Sequence, residues 1–136
     1  MSLNIDNLFV RADVEHAISA FESASTASKW KIAVSDVGGG WTQMVESHET
    51  TPPQLAQAMS SSLRTSVVCA QVYETSGDAA LQVFENGDLA QRWSDESCED
   101  LIAEVQSRIE SQGINAELVR FPETIRRTGW LTRTRR

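Results

Sequence analysis

Thr65 to Tyr73 carries apolar side chains on both of its alternating rows: Val67, Cys69 and Tyr73 on one, Val68, Ala70 and Val72 on the other. A strand sends successive side chains to opposite faces, so a run of this kind reads as a central strand buried on both sides. The remaining segments have to supply its neighbours and its cover.

Several do. Asn7 to Ala12 is a short apolar run that fits a first strand. Asp13 then stands as an N-cap with Glu15 in the first turn. Val14, Ala17, Ile18, Phe21 and Ala24 recur at helical spacing, predicting a helix to about Thr26. Trp30, Ile32 and Val34 alternate with Lys31, Ala33 and Ser35, Gly38-Gly39-Gly40 breaks the run, and Trp41 to Ser47 resumes it. That is a hairpin with a wide glycine turn. Thr51-Pro52-Pro53-Gln54 is a capping box with proline at the first helical position, opening a helix that ends near Arg64. Past the central strand, Asn86-Gly87 is the dipeptide of a type I′ hairpin between Ala79–Phe84 and Leu89–Trp93, which completes a three-strand meander. Ser94 or Ser97 caps a third helix with the stripe Cys98, Leu101, Ile102, Val105 and Ile109, closed by Gly113. Ala116 to Phe121 reads as a last strand stopped by Pro122, and Thr124 to Arg136 as an irregular surface course.

The predicted class is therefore α+β: a single mixed or mostly antiparallel sheet with three helices mainly on one face. Its first six elements follow the ferredoxin-like split β-α-β order, extended by a meander and a third helix. A length of 136 residues suits one domain, with residues 1–122 as an acidic body and 123–136 as a basic C-terminal tail.

Charge divides along the same boundary. The net charge is −7, yet from Arg120 onward six arginines meet one acid, Glu123. That leaves +5 on the last 17 residues and −12 on the 119 before them. Such a body repels phosphate backbones, which argues against duplex nucleic acid as a ligand of the folded face. No apolar stretch is long enough for a membrane-spanning helix, and no secretory leader is legible at the start. Cys69 and Cys98, far apart and in apolar surroundings, read as reduced thiols in a cytoplasmic protein.

Motifs that would carry chemistry are not found. A strand, not a helix N-terminus, follows the triple glycine, so it lacks the geometry of a phosphate loop. His16 and His48 have no metal ligand at helical spacing, and Ser60-Ser61-Ser62 is not part of a nucleophile elbow. Neither a catalytic set, a metal nor a cofactor is expected. The acids Asp95, Glu96, Glu99 and Asp100 are read as the electrostatics of a helix start that can also receive a basic partner. Opposite in sign are Arg126, Arg127, Trp130 and Arg133, arginines around an aromatic anchor of the kind interfaces favour.

The expected function is a non-enzymatic binding or regulatory domain that forms a homodimer, its tail docked on acidic surface near Asp95 to Asp100 of the same or a neighbouring chain. Two other classes compete. One is an acidic inhibitor of a basic protein, as toxin-neutralising immunity proteins of similar small bacterial layout are. The other is a small-ligand or enzymatic domain with a pocket between sheet and helices.

Overall fold

A computed structural model describes residues 4–25, 29–46, 52–73, 77–96, 100–119 and 130–134. In chain order the elements are β1 (Asn4–Val10), α1 (Val14–Ala24), β2 (Lys29–Gly38), β3 (Trp41–Glu46) and α2 (Pro52–Leu63). There follow β4 (Ser66–Tyr73), β5 (Asp78–Glu85), β6 (Asp88–Asp95), α3 (Leu101–Ser111) and β7 (Trp130–Thr134). All seven strands join one sheet in the order β6-β5-β4-β1-β3-β2-β7, and every neighbouring pair is antiparallel. The α+β class and the single sheet are as the sequence predicts.

β4 lies at the middle of the core, and every residue from Val67 to Val72 is buried. Val67 and Cys69 pack on one face with Leu8 and Val10 of β1, Phe21 of α1, and Leu55 and Met59 of α2. Val68, Ala70 and Val72 pack on the other face with Ile5, Phe9, Leu81 and Val83, beneath Val105 and Ile109 of α3. The expectation of three helices mainly on one face is thus corrected: α1 and α2 cover one face, and α3 covers the opposite one. The doubly apolar β4 requires it, since a row of buried valines left uncovered forfeits roughly 1.5–3 kcal/mol per side chain.

Local chemistry sets the boundaries. The Asp13 carboxylate accepts from the His16 backbone N–H at 2.8 Å and starts α1 as predicted. α2 begins at Pro52; its proposed cap, Thr51, lies outside the described residues. α2 stops where Arg64 takes a φ of 53°, a left-handed position that glycine holds more cheaply. Ser60 is wholly buried there. Its hydroxyl donates to Thr65 O at 2.7 Å and accepts from the Gly87 N–H at 3.0 Å, so the serine run ties α2 to the β5–β6 turn. That turn is the predicted left-handed pair, Asn86 at φ 52° and Gly87 at 88°. The first hairpin is tighter than expected: Gly38 pairs with Trp41, leaving the two residues Gly39 and Gly40 as the loop, and the extra residue is absorbed as a bulge near Val37.

Other boundaries move. β6 continues to Asp95, paired with Ala79, so Ser94 is a strand residue and Ser97 is outside the described residues. The cap of α3 is instead Asp100, whose carboxylate accepts from the Ala103 N–H at 3.0 Å. The strand expected over Ala116–Phe121 is not formed at 116–119, and Arg120 and Phe121 lie outside the described residues; residues 114–119 cross the α3 face of the sheet, held by side chains. Trp130–Thr134, expected as irregular chain, pairs with β2 over Lys29–Ala33. Extended coil and edge strand present the same alternation in sequence, which is why periodicity could not separate them.

Candidate functional site

The described sheet ends in two outer strands, β6 and β7, of opposite character. At one side, β2 and β7 carry Lys29, Lys31 and Arg133 against a single acid, Asp36. At the other, β5 and β6 carry Asp78, Glu85, Asp88 and Asp95 against Arg92. Glu96, directly after β6, and Asp100, ahead of α3, are exposed. Six inter-strand steps separate β6 from β7, roughly 29 Å at the usual strand spacing.

The predicted partner-binding residues fall into two groups on this frame. Trp130 and Arg133 sit on β7, opposite Ala33 and Trp30 of β2. Asp95 ends β6, Glu96 follows it, and Asp100 caps α3. Arg126, Arg127 and Glu99 lie outside the described residues. Within one copy the topology sets β7 and Asp95 at opposite edges of the sheet.

A cleft of about 340 Å³ opens at the ends of β4, β5 and β6, lined by Tyr73, Asp78, Ser94, Asp95 and Glu96 among others. Along β6, Asp88 to Arg92 are all exposed, and Leu89 is, among the described residues, the large hydrophobic side chain open to water, at 46%. On the α3 side the Arg108 guanidinium lies 4.2 Å from the centre of the Trp93 ring of β6 and donates to Glu104 at 3.0 Å.

Behind the cleft is a polar cluster that periodicity did not single out. Asp6 and Gln71 are cross-strand partners on the face that α1 and α2 cover. The Asp6 carboxylate accepts from Gln71 Nε2 at 3.2 Å and from the Tyr73 hydroxyl at 3.3 Å, and Gln71 also donates to the Tyr73 oxygen. Burial raises the Asp6 pKa above its ordinary value of 3.8, only partly opposed by the two hydrogen bonds. Burial, and then the Asp6 charge, push the Tyr73 phenol and the Cys69 thiol up as well. Cys69 is a free thiol, 1% exposed, and its neutral state denies it a nucleophile's reactivity.

On the α3 face three side-chain amides hold residues 114–119 by their main chain. Asn7 Nδ2 donates to Val119 O and Asn7 Oδ1 accepts from Val119 N–H, both at 2.9 Å. Gln43 Nε2 donates to Glu117 O at 2.8 Å and to Asn7 Oδ1 at 2.7 Å. Gln106 donates to Ala116 O at 2.6 Å and accepts from Leu118 N–H at 3.0 Å. A cleft of about 540 Å³ lies between this strap and α3, lined by Gln106, Glu110, Asn115 and Glu117 among others. Nothing in its lining converges as an acid–base or nucleophile pair. Among the described residues no group of three or more His, Cys, Asp or Glu side chains stands where it could hold a metal ion. No helix there is long and apolar enough to cross a membrane.

Comparison of the chain with protein-family models, with curated proteins and with solved structures finds no match.

Proposed function

We propose that this protein is a non-enzymatic binding domain that associates with copies of itself through its basic C-terminal segment. One observation carries the reading: the basic β2–β7 edge and the acidic β5–β6 edge are on opposite sides of one sheet. Charges that attract but are separated by the width of a sheet can meet only between molecules. The acidic cleft beside Asp95 and Glu96 offers the concave surface, and Trp130 with Arg133 the residue types that interfaces enrich.

The order β4-β1-β3-β2, with α1 joining β1 to β2 and α2 joining β3 to β4, supports a ferredoxin-like split β-α-β unit as the core of the domain. β5 and β6 extend it on one side and β7 on the other. A buried, free Cys69 supports a reducing, cytoplasmic setting.

Light scattering on the full chain and on a chain ending at Phe121 tests the proposal. The full chain is expected above monomer mass and the shortened one at monomer mass; equal masses overturn it. The acidic cleft also favours a second reading, an inhibitor of a basic protein. In that case the shortened chain retains binding to the basic partner, with an association rate that falls steeply with salt.

A further inference from the structure

Gly87 is tethered to α2 by both of its main-chain groups. Its N–H donates to the buried Ser60 hydroxyl at 3.0 Å, and its carbonyl accepts from Gln57 Nε2 at 3.0 Å. The residue before it, Asn86, is exposed and left-handed, with a φ of 52°. Of the four asparagines in the chain, Asn4, Asn7, Asn86 and Asn115, only Asn86 precedes a glycine. That order of residues carries chemistry of its own. A glycine nitrogen, with no Cβ beside it, can approach the amide carbon of the asparagine before it, whereas Ile5, Leu8 and Ala116 hinder the same approach at the other three.

We infer that Asn86 is a deamidation site held closed by Ser60, independently of the self-association proposed above. In the reaction, hydroxide takes the proton of the Gly87 N–H and the nitrogen bonds to Asn86 Cγ. The Cγ–Nδ2 bond breaks, the departing nitrogen takes a proton from water and leaves as ammonia, and a cyclic imide remains. A water molecule then opens the imide at one of its two carbonyls, giving aspartate or isoaspartate. The Gly87 nitrogen must therefore give up its proton and turn toward the Asn86 side chain, and its bond to Ser60 opposes both. Ser60 is wholly buried and its own proton is committed to Thr65 O at 2.7 Å, so toward Gly87 the hydroxyl is an acceptor. Reaction proceeds from the fraction of molecules in which the β5–β6 turn has lifted off α2. The product does not return to the same turn. Isoaspartate lengthens the main chain between Glu85 and Asp88, and either product adds a carboxylate beside these two acids, which already face each other across the hairpin.

Peptide mass spectrometry of the full chain during incubation at mildly alkaline pH tests this, with Asn115 as the reference in the same sample. In urea, Asn86 should convert to acid faster than Asn115; in the folded protein it should convert at least about tenfold more slowly than in urea. Ser60→Ala should raise the folded rate roughly three- to tenfold, the net worth of one hydrogen bond. Gln57→Ala frees the Gly87 carbonyl but leaves the N–H bonded, and should raise the rate much less. Circular dichroism checks that each variant is folded. Ser60→Cys, which keeps the volume with a weakly accepting sulfur, replaces the alanine variant should that one unfold. Equal rates for Asn86 in folded and unfolded chains overturn the closure, and equal effects of the Ser60 and Gln57 variants overturn its assignment to Ser60. An Asn86 no faster than Asn115 in urea overturns the site itself.

Discussion

Asn7 and Val119, 112 positions apart in the chain, exchange two hydrogen bonds of 2.9 Å: the Asn7 amide donates to the Val119 carbonyl and accepts from its N–H. A side chain here does what a neighbouring strand would do. It lies in the middle of β1 and is fully buried, with Gln43 of β3 beside it at 5% exposure. Polar groups at such positions are costly unless satisfied, and these two are satisfied by the strap that runs to the C-terminal segment.

Replacing Asn7 by Leu should therefore destabilise the fold by about 2–4 kcal/mol, although it adds apolar volume to an apolar face. The loss comes from the Val119 N–H and C=O, left without their partner, and from Gln43 Nε2, which loses one of its two acceptors. Urea unfolding reads it as a lower midpoint. A midpoint equal to that of the unaltered chain would mean that the strap contributes nothing.

Gly87 is held by two constraints at once. Its φ is 88°, and a Cβ built on it would stand 2.9 Å from the Ser61 Cβ and 3.2 Å from the Ser61 Cα. Gly87→Ala should cost about 2–3 kcal/mol, more than left-handed strain alone, because the β5–β6 turn must also lift off α2. Thermal unfolding of this variant beside Asn86→Ala separates the two effects, since position 86 shares the left-handed backbone.

Arg64 offers the opposite case. Its left-handed φ of 53° at an exposed helix end is a place where Arg64→Gly should stabilise by about 0.5–1 kcal/mol, the relief of backbone strain outweighing the added freedom of the unfolded chain. A denaturation midpoint that drops would contradict this.

Asp6 links stability to pH. Its folded pKa is raised by burial, so the folded state holds the proton more tightly than the unfolded chain. Its contribution is fully present below the ordinary carboxylate value of 3.8 and is lost as pH rises through the raised one. Asp6→Asn keeps an acceptor for Gln71 and Tyr73 without the charge. It should melt higher than the unaltered protein at neutral pH, and the advantage should vanish below pH 3.8. Asp13 acts in the reverse sense: the His16 backbone N–H and then its ring hold that carboxyl below its usual range. A gain from Asp6→Asn that is equal at acid and neutral pH would refute the role given to burial.

Much of the fold is legible in residue order, and particular residues mark where legibility stops. Asp13, Pro52 and the Asn86-Gly87 pair act locally, so their effects are written within four residues of themselves. β4 held the information that both sheet faces are covered, but helix stripes show that a helix has an apolar side without showing which sheet face it meets. Asn7, Gln43 and Gln106 look like scattered amides until the fold brings residues 114–119 across them. The Asp6–Gln71–Tyr73 cluster depends in the same way on the pairing of β1 with β4. As for the candidate interface, the charge asymmetry can be read directly. Its geometry cannot, because only strand order shows that β7 and β6 are opposite edges.

The most direct measurement is the weight-average mass of the full chain by light scattering as ionic strength is raised. At about 0.01 M salt, where charges act over roughly 30 Å, the account predicts a mass above that of the monomer. At about 1 M, where they act over roughly 3 Å, it predicts a decline toward the monomer. A monomer at low salt, or an assembly indifferent to salt, would contradict it.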